Sequence, residues 1–540
     1  MVVSRPAIPV DASVRLAADV VVPADRPAAG VPTVLIQTRY GRSCRMRGGG
    51  GPKVPQGPRE GIVSRLVDAG FAVVIVDVRG TGASDGVWRW PWSDDEVRDM
   101  RAVLDWIVAQ PWSNGAVGAT GVSYEGTTAL LAASVQHPAL KAVLARQLEW
   151  ELVDETIAPG GVRNALFADT WSDAVDALDH GRYPSIFPGY AKWFVTGVAR
   201  RDDDPKGTAQ KAREAARPPS TIAARARGVV RSTDRFGDDA PPTDSLGPAG
   251  HAVALAHTRA QVSIWGSWWD GATADAVFRA DSTMPLVQAV IGPWNHEGDE
   301  NASPLQRKTS VSPTVNLDTV VAFFTRTVRA TPLPVDSARR VRWYVAGAEQ
   351  WREAARWPLT TMRAWSIASM ASTDDTMHTW RTTVPATTGE NNRWTSGLAR
   401  SVDVQDREKS KGLRSYTLDV LNAALHVFGA GAVTCAVHPN APEATLHVYV
   451  ESVDPEGHVR LLTEGMQRAH GAAHSAPDTA AAHIRLRPVA FVLPAGWKLR
   501  VSLASEDTPT FERVPATGPV EWRLNPRACT LTLPAERATS

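Results

Sequence analysis

The sequence predicts an α/β fold with an inserted helical region and a trailing all-β domain, and three observations carry that expectation. Through the first 148 residues, continuous apolar runs such as Phe71-Ala-Val-Val-Ile-Val-Asp77 alternate with amphipathic helical patterns, as in a parallel sheet buried on both faces. Between about Trp150 and Gly247 the pattern turns helical, aromatic and charged, with no clear buried strand. Beyond residue 325, short stretches divided by Pro, Gly and polar turns replace both patterns. The implied organisation is a sheet domain over 1–148 and 251–325, a helical cap over 149–250 and an all-β domain over 326–540.

A chain of 540 residues is too long for one core, which agrees with that division. Its 58 Lys and Arg nearly balance 57 Asp and Glu, so no net field is available to grip a nucleic acid or an anionic membrane. Cys44, Cys435 and Cys529 are odd in number and far apart, fitting neither a disulfide framework nor a zinc site, and read as isolated thiols. Met1–Pro9 lacks a basic segment leading into an apolar one, and no stretch approaches a membrane span, so the expected location is the cytoplasm.

Taken in order, residues 11–22 alternate as an antiparallel strand, and Thr33–Thr38 is a short apolar strand that leaves Tyr40 at its C-terminal end. Arg42–Arg59, rich in Gly, Arg and Pro, reads as a loop. After the buried run to Asp77 comes Asp77-Val-Arg-Gly-Thr-Gly-Ala-Ser-Asp-Gly86, which lacks the Lys-Ser/Thr ending of a P-loop and is expected to shape a site wall. Trp88, Trp90 and Trp92 alternate and would share one face of an extended segment, as core or as pocket lining. Asp94–Gln110 is an amphipathic helix with an acidic first turn and a stripe of Val97, Met100, Val103, Leu104 and Ile107.

Next comes Gly121-Val-Ser-Tyr-Glu-Gly126, between the apolar Ala116–Thr120 and a helical run from Thr127 to His137. A serine becomes a nucleophile in such a strand, turn and helix context, where it projects towards a base beside free backbone N–H groups. An ordinary strand-to-helix loop can be spelled the same way, and the second glycine stands one position later than in Gly-x-Ser-x-Gly. Other strand ends therefore decide the matter. Gln261–Gly266 leads into Ser267-Trp268-Trp269-Asp270, and Leu286–Gly292 leads into Pro293-Trp294-Asn295-His296. Ser123, Asp270 and His296 each follow an apolar strand, in the chain order serine, acid, histidine of an α/β-type serine hydrolase. That places all three at one sheet edge and predicts a catalytic triad.

These stretches resemble the cocaine esterase and X-prolyl dipeptidyl peptidase family of serine hydrolases. The resemblance is carried by Asp77–Gly86, by Trp106 through Gln110-Pro-Trp-Ser-Asn-Gly115 to Ser123-Tyr-Glu-Gly, by Trp269-Asp-Gly271 and by Gly292-Pro-Trp-Asn-His296. Gly347, Trp351-Arg352, Trp357-Pro358 and Gly496-Trp-Lys-Leu-Arg-Val501 look like the family's β-domain signatures. The resemblance implies an α/β-hydrolase domain, a helical cap and a C-terminal jelly roll. It also implies that Ser123 is the nucleophile, His296 the base and then acid, and Asp270 its orienter. The Tyr40 hydroxyl and the Tyr124 backbone N–H would form the oxyanion hole.

No cofactor or metal is expected. The partner is a small-molecule ester or amide, cleaved through an acyl-enzyme, with an apolar or aromatic acyl group sheltered by the cap and by Trp88, Trp171, Trp268 and Trp269. The alternatives are an α-amino acid ester hydrolase, acylase or X-Pro-type aminopeptidase, and a non-catalytic protein that binds a carbohydrate or partner. Glu125 resembles the amino acid ester hydrolysing relatives, yet the acidic pair expected after the triad aspartate is absent, since Gly271, Ala272, Thr273 and Ala274 follow Asp270. Glu297 and Asp299 are the carboxylates that could hold a substrate ammonium instead.

Overall fold

The structure, a computed structural model, describes residues 1–47, 59–184, 193, 195–305, 315–329, 339–367, 378–381, 386–395, 412–470 and 481–536. An 11-stranded sheet organises the first part. Its main strands are β1 (Arg15–Val22), β2 (Val31–Thr38), β3 (Ala72–Asp77), β4 (Ser113–Val122), β5 (Leu140–Arg146), β6 (Gln261–Ser267), β7 (Gln288–Gly292) and β8 (Arg340–Val345). They lie in the order β1-β3-β2-β4-β5-β6-β7-β8, and every pair from β3 to β8 is parallel. Strand β1 is antiparallel to β3, as its alternating pattern predicts. Short antiparallel strands extend both edges, Val2–Ser4 and Ala7–Pro9 beside β1 and Gln350–Ala354 beside β8.

Period-2 geometry explains the sheet's two apolar layers. Val73 and Ile75 join one core with Ile62, Leu66 and Phe323, while Val74 and Val76 join the other with Met100, Leu104 and Ile107. Helix α1 (Glu60–Asp68) buries Ile62, Val63, Leu66 and Val67, each worth about 1.5–3 kcal/mol when fully withdrawn from water. Helix α2 (Asp94–Val108) starts where the Ser93 hydroxyl accepts the Glu96 N–H, with three acids in its first turn. Helix α3 (Tyr124–Leu131) follows β4 after the single residue Ser123.

Between β5 and β6 the chain is chiefly helical. Helix α4 (Ala165–Asp179), capped by Asn164, is accompanied by shorter helices at Thr208–Ala216, Ile222–Ala226, Gly247–Gly250 and Ala252–Ala256. One strand, Val195–Val198, was not legible there, and it pairs with Cys44–Met46 from the Arg42–Arg59 segment. Of that segment, residues 48–58 lie outside the described part.

The C-terminal part holds a 7-stranded and a 4-stranded sheet. Their strands are antiparallel, with Glu521–Glu536 central to the first and Glu443–Val453 to the second. Arg340–Val345 departs from expectation: sequence placed it in the all-β domain, but it extends the first sheet, parallel to β7, with Val341, Trp343 and Val345 buried. Cys435 and Cys529 are also not isolated, since they stand opposite one another in paired strands, both as free buried thiols. Residues 372–411, a stretch rich in Thr, Asp, Arg and Asn that reads as long excursions of the all-β domain, are described in part: His378–Arg381 pairs with Glu521–Leu524, and residues 386–395 reach back to the first sheet's loops. The remaining residues of that stretch lie outside the described part. Among the described residues no helix is long and apolar enough to cross a membrane.

Candidate active site

Ser123 occupies φ 62° and ψ −130°, a conformation that a side-chain-bearing residue adopts only under constraint. The constraint is visible around it. Its N–H donates to the Arg146 carbonyl at 3.0 Å, tying the turn to the neighbouring strand. A Cβ on Gly121 would lie 2.4 Å from the Glu125 backbone, and one on Gly126 would lie 2.4 Å from the Arg146 carbonyl oxygen. Both glycines are thus needed for close approach, and the position of the second is set by where α3 crosses β5. Tyr124 opens α3, so its N–H belongs to the first turn, which has no intrahelical acceptor.

Adjacent parallel strands β6 and β7 deliver Asp270 and His296 side by side. Nδ1 of His296 lies 3.0 and 2.9 Å from the two Asp270 carboxylate oxygens. Burial pulls the imidazole pKa down, but Asp270, Glu297 and Glu149 outweigh it and raise the value to about 9. The Asp270 turn is braced from the C-terminal part, where the Arg393 carbonyl accepts the Gly271 N–H at 2.8 Å and the Arg393 guanidinium donates to the Trp268 carbonyl.

Ser123 and His296 line two cavities in common. The smaller, about 410 Å³, also contains Asp270, Glu149, Phe167 and Trp394 in its wall. The larger is a cleft of about 1830 Å³ that includes Tyr40, Arg59, Glu125, Arg146, Trp171 and Glu297. Trp171 donates its indole N–H to the Tyr40 hydroxyl at 3.1 Å. Because indole only donates, the Tyr40 oxygen is the acceptor, and its own proton has no acceptor among the described residues. Burial raises the Tyr40 pKa well above its ordinary value, partly opposed by Arg39, so the phenol stays protonated.

The other sequence candidates are distributed as follows. Trp171 lines the cleft, whereas Trp88, Trp268 and Trp269 line neither cavity. Trp88 donates to the Tyr124 hydroxyl at 3.1 Å and lies under the Arg39 guanidinium. Trp268 is buried between Phe278 and Phe428 and bonds the Tyr344 carbonyl, and Trp269 bonds the Leu462 carbonyl. Glu125 is bound by Arg59, whose Nε lies 2.9 Å from Oε1. Asp299 accepts from Asn295 at 2.7 Å, and Glu297 is exposed on the cleft rim. The Asp77–Gly86 loop is closed on itself, with Asp77 accepting the N–H groups of Arg42 and Ala83, and it lines neither cavity.

Sequence reasoning missed Glu149, a half-buried carboxylate that accepts from the Thr127 hydroxyl at 3.1 Å and shares the smaller cavity with Ser123 and His296. The signal was available: Glu149 follows the buried strand β5 as Asp270 follows β6. Among the described residues, the group close enough to hold a metal is Asp454, Glu456 and His458, none of which lines either cavity.

Residues 11–298 match the family model of the X-Pro dipeptidyl-peptidase S15 family, and residues 334–536 match that of the X-Pro dipeptidyl-peptidase C-terminal non-catalytic domain. A Mycobacterium bovis protein named "Putative serine esterase" is 29% identical over 96% of this chain and 93% of its own. The cocaine esterase of Rhodococcus is 25% identical over 84% of each chain. Among solved structures, an aminopeptidase from a marine sediment Thaumarchaeota archaeon superposes with a TM-score of 0.73 at 18% identity, covering 99% of this chain and 96% of its own. An α-amino acid ester hydrolase gives 0.70 at the same identity and coverage. With an α/β-hydrolase sheet ahead of a β-rich C-terminal part and a family match across more than half its length, this chain belongs to the S15 family of serine hydrolases.

Proposed function

We propose that Ser123, His296 and Asp270 form the catalytic triad of an esterase or amidase that works through an acyl-enzyme. The observation that carries this reading is the imidazole of His296 held by both Asp270 oxygens in a cavity it shares with the constrained Ser123. In the first half-reaction the Ser123 hydroxyl attacks the substrate carbonyl while His296 Nε2 takes its proton. Asp270 holds the Nδ1–H and stabilises the imidazolium. The oxyanion is met by the Tyr40 hydroxyl, whose proton has no other acceptor among the described residues, and by the Tyr124 N–H. His296 then protonates the leaving alcohol or amine, and water repeats the sequence to release the acid.

The helices between β5 and β6 serve in this reading as a cap, and the two C-terminal sheets as a jelly roll that braces the Asp270 turn through Arg393. Phe167 and Trp171 of α4 offer an apolar wall to an acyl group, which favours an apolar or aromatic ester. Glu149 favours a second reading, an aminoacyl substrate whose ammonium it would receive.

Labelling with a fluorophosphonate tests the triad. The intact protein is expected to be labelled and Ser123→Ala is not; equal labelling of both removes Ser123 from the reaction. Turnover of p-nitrophenyl esters against aminoacyl and X-Pro anilides then separates the two substrate readings.

A further inference from the structure

Arg146 ends strand β5 and touches the proposed nucleophile through its backbone, since its carbonyl accepts the Ser123 N–H. Its side chain enters the cleft that Ser123 and His296 share. There the residue is only 8% exposed, and its Nε is enclosed without a hydrogen-bond partner. No described residue hydrogen-bonds or ion-pairs with this guanidinium, which distinguishes it from the other arginine of the cleft. Arg59 is bound to Glu125 and also donates to Thr38 and Gly41. A buried guanidinium left without a bonded counter-charge is costly, and an anionic group bound in the cleft would relieve that cost. Burial lowers the Arg146 pKa to about 10, and the more distant charges of Glu297 and Glu125 do not offset it. Segments 48–58 and 306–314, which precede the wall residues Arg59 and Val315 in the chain, contain no Asp or Glu.

We propose that Arg146 is a substrate anchor, and that the favoured ester or amide carries a carboxylate which this guanidinium receives in the cleft beside Ser123. A planar guanidinium matches a carboxylate with two parallel N–H donors, so it fixes orientation as well as charge. The anchor rests on the hydrolase reading above and narrows it. Arg146 leaves the β5 end next to Ser123, so the carboxylate belongs to a compact substrate in which few bonds separate it from the scissile carbonyl.

The test compares kcat/KM for matched charged and neutral esters. On the acyl side the pair is p-nitrophenyl hemiadipate and p-nitrophenyl hexanoate; on the leaving side it is 3-(butyryloxy)benzoate and phenyl butyrate. The wild-type enzyme is expected to favour the charged member of at least one pair by roughly 10-fold to 100-fold, the range of a charge-assisted hydrogen-bond pair. Arg146→Gln should lose more on the charged ester than on the neutral one, with the difference carried by KM, and Arg146→Lys should restore part of it. Equal turnover within both pairs by the wild type overturns the anchor, as does an Arg146→Gln loss that falls alike on charged and neutral esters. Should Arg146→Gln fail to fold, the wild-type comparison decides alone. Fluorophosphonate labelling separates the failures: unlabelled Ser123 sinks the hydrolase reading and the anchor with it, while a labelled enzyme indifferent to charge sinks only the anchor.

Discussion

Gly126 packs on Arg146 so closely that a Cβ at position 126 would stand 2.4 Å from the Arg146 carbonyl oxygen. That carbonyl also receives the Ser123 N–H, so the same contact holds the serine turn in place. Backbone cannot yield as a flexible side chain would. Gly126→Ala is therefore expected to cost about 1–3 kcal/mol, the usual range for overpacking. Its kcat should fall further than its stability, because the serine shifts with the turn. Urea denaturation beside ester turnover checks both, and an alanine variant with unchanged kcat would separate the turn from the chemistry.

Glu125 was the residue that hinted at an amino acid ester, yet its carboxylate is already occupied. Arg59 binds it, and both side chains are about nine-tenths buried, at 12% and 11% exposure. Removing one partner of a buried pair leaves an uncompensated charge, which costs roughly 3–5 kcal/mol. Glu125→Leu and Arg59→Met should each fall in that range by denaturant melting, while the two substitutions together should recover much of the loss. Independent, additive effects in this cycle would show that the pair is not coupled.

What the residues show by themselves and what only the fold decides divide along one physical line. Features set by local pattern were legible: the buried strands, the acidic start of α2, and the positions of Ser123, Asp270 and His296 just after strands. Features set by distant partners were not. Indole chemistry is the same in a core and in a pocket wall, and only the fold brings Phe428 against Trp268 while leaving Trp171 at the cleft. Arg59, 66 residues from Glu125, gave no local sign of claiming it. Arg340–Val345 has the composition of a strand in either sheet, and its parallel pairing with β7 is a tertiary choice. Glu149 was readable by the strand-end rule that found Asp270, but a carboxylate followed by Trp150 matched no familiar motif.

Tyr40 has its oxygen engaged by Trp171, and its proton has no acceptor among the described residues. Tyr40→Phe keeps the ring and deletes that donor. Loss of one oxyanion donor costs about 10²–10³ in kcat, with little change in substrate affinity. Steady-state kinetics on a p-nitrophenyl ester measures this, and an unchanged kcat would remove Tyr40 from the oxyanion site.

His296 must be neutral to accept a proton, and its pKa is raised to about 9 although burial opposes the rise. The acid limb of kcat/KM should therefore lie on the alkaline side of neutrality, with activity climbing as pH rises towards 9. Part of the rise comes from Glu149, itself pushed up to about 7 by burial. Glu149→Gln keeps an acceptor for Thr127 and removes the charge, so the limb should move to lower pH. A profile from pH 6 to 10 reads the shift, and a limb that stays in place would show that the two groups are not coupled.

His447 should set acid stability, in a direction opposite to His296. It is 1% exposed, packed beside Tyr449 and Phe511, and among the described residues neither ring nitrogen has a hydrogen-bond partner. Burial lowers its pKa from 6.5 to about 4, with Asp507 opposing. As pH falls below about 6.5 the unfolded chain takes up a proton that the folded chain refuses until about pH 4. The stabilisation from a neutral His447 is therefore complete above the unfolded value and is lost progressively across that window, at about 1.4 kcal/mol per unit. Between pH 7 and 5 this amounts to about 2 kcal/mol. His447→Phe retains an aromatic ring at the site and has no proton to bind, so its stability should decline less over the same range. Denaturant melts of both proteins at pH 7 and pH 5 give the difference directly, and parallel declines would place the acid sensitivity elsewhere in the chain.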